Sequence, residues 1–223
     1  IQYPMLPGRL CVKLANSSKI RIQPKTTGEK RLLSVDIALM SSNKHKNDAS
    51  AIFINQLLPT KANRYINNII YTETSEGLRT EEQALQIRKL FEEYECDYIV
   101  IDCKGVGLGV YDALASDITD VESGEIYPAL SCCNNPDMAA RCTNRNAEKA
   151  IWAINGAARF NSDCAVMLRE GFKSGKIRLL VTEYDGEKAL SSIKGYNNLN
   201  ASEQTELTLV YVNTTLLINE LIN

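Results

Sequence analysis

Apolar and polar positions along the chain separate into strand-like and helix-like stretches. "RLLSVDIAL" (31–39) is aliphatic and alternating, the signature of a strand. A polar loop, "MSSNKHKND" (40–48), leads to a second strand, "ASAIFINQLL" (49–58), which Pro59 helps to end. "RYINNIIYTETSE" (64–76) is a third, and the short polar connections imply an antiparallel meander. The period then changes. In 79–95, Ala84, Ile87, Leu90, Phe91 and Tyr94 form one apolar stripe of a helix, with Thr80 and Gln83 spaced as a capping box. "CDYIVID" (96–102) is a continuous apolar run, expected of a strand covered on both faces. A helix follows over 108–118, then a fifth or edge strand over 124–132. A mostly helical stretch is expected over 143–175, with a break near Gly156, then a short strand over 176–181 and a long helix over 200–223. Residues 1–30 contain Pro4, Pro7 and Pro24 and little periodicity, and read as a linker or peripheral segment.

Composition narrows the class without naming a function. The 223 residues suffice for one medium domain with a sizeable core. The formal net charge is -2, so any nucleic-acid site must be a local basic patch. No apolar run approaches the length of a membrane span and no secretory signal is present. The seven cysteines include no CxxC pair, which fits reduced thiols in a cytosolic compartment better than a zinc site.

The element order is β-β-β-α-β-α-β-α. A plain doubly wound sheet would alternate from the start. A meander followed by βαβαβ is the order of the ribonuclease H-like fold: α/β, with a mixed central sheet flanked by helices, here over 31–223. In that order the first and fourth strands are neighbours. Asp36 lies in the first, and Asp102 ends the fourth, just before the turn "GVGLG". Two facing carboxylates repel unless a proton or a cation lies between them. Mg²⁺ or Mn²⁺ suits such a pair, and two such ions can activate water and stabilise the leaving oxygen of a phosphodiester.

Each residue also has a plainer reading. Asp102 could be a helix cap or turn former; Asp36 has less excuse, since burying an unpartnered carboxylate between Val35 and Ile37 is costly. Gly105, Gly107 and Gly109 do not have dinucleotide spacing, because Val110 stands where glycine or alanine is needed. There is no P-loop. Lys44, His45 and Lys46 form either a DNA-contacting tip or a solvated loop, Asp48 could approach the metals, and Lys104 could touch phosphate. Arg141, Arg145 and Lys149 read as a solvated face, Cys103 as structural, and Trp152 and Phe160 as core.

At "LLSVDIALMSSNKHKNDASAIFI" and "YIVIDCKGVGLGVYDAL" the chain resembles the C-terminal nuclease domain of large terminase subunits of tailed bacteriophages; "LREGFKSGKIRLL" is also similar to that family's helix and following strand. The resemblance implies a metal-dependent DNA endonuclease that cuts concatemeric DNA during genome packaging, with Asp36 and Asp102 as metal ligands for two Mg²⁺ or Mn²⁺ ions. It implies double-stranded DNA, an ATPase motor in the same subunit, the small terminase subunit and the portal as partners, in the cytoplasm of a bacterial host. The family's third acid, on a late helix, has no convincing counterpart up to Asn223; Glu148, Asp163 and Asp185 lack the context. Another ribonuclease H-like nuclease, such as a junction resolvase, and a docking module that no longer cuts are the alternatives.

Overall fold

The computed structural model describes residues 5–6, 11–14, 20–22, 24–38, 49–61 and 64–222. By contacts the chain forms two compact units, one of 1–30, 53–73 and 162–223, the other of 31–52 and 74–161.

The second unit carries the features of interest. Its strands are β4 (Lys30–Asp36), the start of β5 (Ser50–Pro59), β7 (Tyr98–Asp102), β10 (Leu130–Cys132) and β11 (Glu148–Ile154), in the order β5-β4-β7-β11-β10. The pairs β4/β7, β7/β11 and β11/β10 are all parallel. Leu33 faces Ile99 and Val35 faces Ile101 across β4/β7. All four are buried, as are Ile151 on β11, Ala84, Ile87, Leu90 and Phe91 on α1 (Thr80–Glu93), and Val110 and Leu114 on α2 (Val106–Leu114). α1 packs on α2, and α2 on β7. The other face of β4 and β7, with Leu32, Ser34, Tyr98 and Val100, is only half-buried. The apolar run of β7 therefore alternates in burial, and its expected cover on both faces is not found. Trp152 projects on that side, 43% exposed, with its ring edge-on to Tyr98, so it is not a core residue.

The stretch read as helical from 143 splits in two. "EKAIWAI" is strand β11, and only α4 (Ala158–Lys173) is helix. Its alanines, glutamate and lysine favour helix locally, but Ile151 and Ala153 pair with Ile99 and Ile101, and that non-local ladder decides the conformation. Asn134 extends the ladder with a side chain: its amide donates to the Ala153 carbonyl at 2.8 Å and its oxygen accepts from the Ala153 N–H at 3.0 Å. The 124–132 segment divides into β9 (Ile126–Tyr127), paired with β8 (Ile118–Thr119), and edge strand β10, followed by the short helix α3 (Pro136–Ala139).

The first unit contains β1 (Met5–Leu6), β12 (Ile177–Leu180), β6 (Tyr65–Ser75) and the rest of β5 in the order β1-β12-β6-β5, and a separate antiparallel pair, β2 (Cys11–Leu14) and β3 (Ile20–Ile22). Thr60 N–H to Arg64 C=O closes the turn between β5 and β6. Ile69, Phe172 and Leu179 centre its apolar cluster. α5 (Glu183–Ser191), absent from the sequence-based reading, packs on α6 (Ala201–Ile222). Bare Gly186 permits this: a Cβ there would meet the Tyr211 ring at 2.3 Å. On α4 only Phe172 is buried; Phe160, expected in the core, is 43% exposed. No helix among the described residues is long and apolar enough to cross a membrane.

Candidate functional site

Asp36 and Asp102 close two adjacent parallel strands. The β4/β7 register runs from Leu32↔Tyr98 to Val35↔Ile101, and one step further brings Asp36 level with Asp102. Opposed residues of a parallel pair share a face, so both carboxylates leave the sheet on the side away from the Leu33, Val35, Ile99 and Ile101 core. Adjacent strands lie about 5 Å apart, which brings two carboxylates within reach of one ion. Asp36 is exposed and Asp102 half-buried.

Each acid is supported by a different device. Beyond Asp36, the Ala38 N–H donates to Ser50 Oγ at 3.0 Å, Ser50 Oγ–H donates to Gln83 Oε1 at 2.8 Å, and the Gln83 amide donates to the Leu78 carbonyl at 3.0 Å. Ser50 and Gln83 are both buried. This chain of bonds ties the exit of β4 to β5 and α1. Gln83 is therefore a buried tether and not half of a capping box. The helix cap is one residue earlier, where Glu82 accepts from the Arg79 N–H at 2.7 Å. Asp102 is held directly: Oδ1 accepts from the Lys104 N–H at 2.9 Å and Oδ2 from the Gly156 N–H at 3.2 Å.

The glycines after Asp102 serve the turn. Gly105 has φ of 69° and ψ of -119°, a positive-φ conformation that glycine adopts readily and other residues avoid. A Cβ on Gly107 would lie 1.8 Å from the Asp102 carbonyl oxygen, so only glycine lets α2 start this close to the strand it follows. Burial pushes the neighbouring Cys103 thiol up to about 12, with the Cys132 thiol and the Asp102 carboxylate adding to the rise. That is the behaviour of an inert, structural cysteine. Among the described residues, Cys96, Cys103, Cys132, Cys133, Cys142 and Cys164 form no disulfide.

The other sequence candidates fall elsewhere. Lys104 is exposed beside Asp102, while Lys44, His45, Lys46 and Asp48 lie outside the described residues. Glu148 opens β11 at the opposite end from Ile154, the residue level with Asp102, which removes it by about 20 Å at the strand rise. Arg141 is bound to Asp112 through two hydrogen bonds, the Nε–Oδ1 one at 2.6 Å, so it is engaged and not a free basic side chain. Among the described residues no three His, Cys, Asp or Glu side chains cluster as a metal cage. The donor chemistry of Asp36 and Asp102 nonetheless suits a hard divalent cation that retains water. Sequence reasoning missed Gly156, Ser50 and the part played by Gln83; the Asn-Gly dipeptide at 155–156, a turn signal after an apolar run, was the available hint.

The family model described as terminase RNaseH-like domain matches residues 33–206. This chain belongs to that family. The fold is accordingly the ribonuclease H-like one expected from the element order. Two solved structures of the large terminase nuclease from thermophilic phage G20c, one with bound magnesium and one with bound cobalt, are also similar. Both are 12% identical, with 94% of this chain and 92% of theirs covered, at TM-scores of 0.46 and 0.45. No curated protein matches.

Proposed function

We propose that this chain is the nuclease domain of a phage large terminase subunit, cutting double-stranded DNA with Mg²⁺ or Mn²⁺ held by Asp36 and Asp102. One observation carries the reading: two carboxylates reach the same point on adjacent parallel strands, and among the described residues neither has a side-chain cation of its own. Asp36 and Asp102 would hold the divalent ion, which would supply charge stabilisation at the scissile phosphate and activation of water. The chain's own contribution is orientation. The Lys104 and Gly156 N–H groups fix the plane of the Asp102 carboxylate, and the Ser50–Gln83 tether fixes the strand that presents Asp36. Lys104, exposed next to Asp102, is placed to meet a phosphate of the duplex. Residues 31–223 form the nuclease domain in this reading, with concatemeric DNA as substrate and the motor, small subunit and portal as working partners.

A second reading draws on the absence, among the described residues, of a third acid clustered with Asp36 and Asp102: a nuclease-like docking module that binds without cutting. Plasmid cleavage decides between them. Incubation with Mn²⁺, Mg²⁺ or chelator, beside Asp36→Ala, should show relaxation and linearisation that require metal and vanish in the variant. Metal-independent nicking, or full activity in Asp36→Ala, contradicts the proposal; intact plasmid in every lane favours the docking module.

A further inference from the structure

Asp102 is gripped from two turns. One follows its own strand; the other, Asn155-Gly156-Ala157, follows β11, where Ile154 is level with Asp102. A carboxylate offers about four lone-pair sites. Two are taken by the Lys104 and Gly156 N–H groups, which leaves one on each oxygen. Gly156 is also sterically bound to this carboxylate. A Cβ at 156 would stand 2.5 Å from Asp102 Oδ2 and 3.6 Å from Cγ, with Asn161 Oδ1 at 3.4 Å on another side. The backbone of Gly156 does not itself call for glycine, since its φ is not among the positive values. The carboxylate is what excludes a side chain.

We propose that Gly156 is a positioning residue for the divalent-ion site: its N–H orients Asp102 Oδ2, and its bare α-carbon leaves that oxygen in the orientation that binds the ion. The inference rests on Asp102 being a metal ligand. Alanine at 156 forces the carboxylate to swing off the Gly156 N–H, because the side chain is the mobile partner in the clash. Groups that orient ligands from outside typically change metal affinity by roughly 10–100-fold.

The test is calorimetric titration of the intact chain with Mn²⁺, comparing wild type, Gly156→Ala, Asp102→Ala and Ala157→Ser. Gly156→Ala should bind Mn²⁺ about tenfold or more weakly, while Ala157→Ser, in the same turn and exposed, binds as wild type. Wild-type binding that disappears in Asp102→Ala but persists undiminished in Gly156→Ala overturns the role of Gly156 alone. No binding by the wild type overturns the reading of Asp102 and this inference with it. If Gly156→Ala loses its fold, the pair Asp102→Ala/Gly156→Ala decides. Recovery of the melting temperature of Asp102→Ala assigns the clash to the carboxylate; continued unfolding rejects the proposal.

Discussion

Asp102 and Asp120 are both held by backbone N–H groups, yet they stand in opposite electrostatic situations. Asp120, in the turn between β8 and β9, is buried. It pairs with Lys89 of α1 at 2.8 Å, accepts from Ser123 Oγ at 2.7 Å and from the Glu122 N–H at 3.1 Å. The Lys89 ammonium leads the effects that hold its carboxyl at about 2. Its cation is built in, and the pair is a latch between helix and hairpin. Asp102 receives the same kind of N–H support, but its neighbour in register is another acid, Asp36. The proposed function accounts for the difference: Lys89 supplies the cation of Asp120, whereas a divalent ion from solution would complete the pair of Asp36 and Asp102. The two acids look alike in the backbone hydrogen bonds they accept, and differ in that Asp120 has a lysine partner where Asp102 has Asp36 beside it.

The largest effect that would break this contrast is on chemistry. Asp102→Asn keeps the shape of the side chain and removes the charge. It should lower metal-dependent plasmid cleavage about 1000-fold, since each 1.36 kcal/mol of lost transition-state stabilisation is tenfold and metal catalysis contributes several. Asp120→Asn should leave cleavage at the wild-type rate. Equal losses in the two variants, measured as initial rates, would erase the distinction.

Gly107→Ala should come next, on stability. Its Cβ meets the backbone of Asp102, which cannot swing away as a side chain can, and overpacking of this kind costs roughly 1–3 kcal/mol. Urea denaturation measures it, and a midpoint equal to wild type would mean that the turn is looser than its geometry indicates.

A smaller and more pointed change gives Asp102 a cation of its own. Asp36→Lys places an ammonium level with the carboxylate, as Lys89 is placed for Asp120. Stability should rise by about 0.2–1 kcal/mol, the range for exposed ion pairs, while Mn²⁺ binding is lost. A variant that still binds Mn²⁺ with wild-type affinity would show that Asp36 is no ligand.

The mildest effect concerns acid. Asp120 has a folded value of about 2 against its ordinary 3.8. A depressed carboxyl stabilises the fold above its unfolded value, and that contribution is lost as pH falls through the folded one. Lys89→Met should therefore lower the melting temperature at pH 6, and the gap from wild type should narrow between pH 4 and pH 2. A gap that stays constant over that window would remove the latch from the account.

The adjacency of the two candidate acids was legible because the strands that carry them are marked locally. The alternation in 31–36 and the acid ending 98–102 mark two strands, and the element order alone makes them neighbours. What escaped was non-local. "EKAIWAI" carries helix-favouring residues, and only its pairing with β7 makes it a strand, so the turn that brings Gly156 to Asp102 could not be placed. Gln83 fits a capping box by spacing, and its bond to Ser50 spans 33 residues. Trp152 and Phe160 are the residue types of a core, yet both are 43% exposed, one on the half-open face of the sheet and one on α4.

The central claim, that Asp36 and Asp102 together form a divalent-ion site, is tested most directly by a crystal structure of the chain grown with Mn²⁺ and its anomalous difference map. The account predicts a peak at about 2–2.6 Å from an oxygen of each carboxylate, the range for hard cations on oxygen ligands. A map with no peak there, or a peak that contacts only other acids, would contradict it.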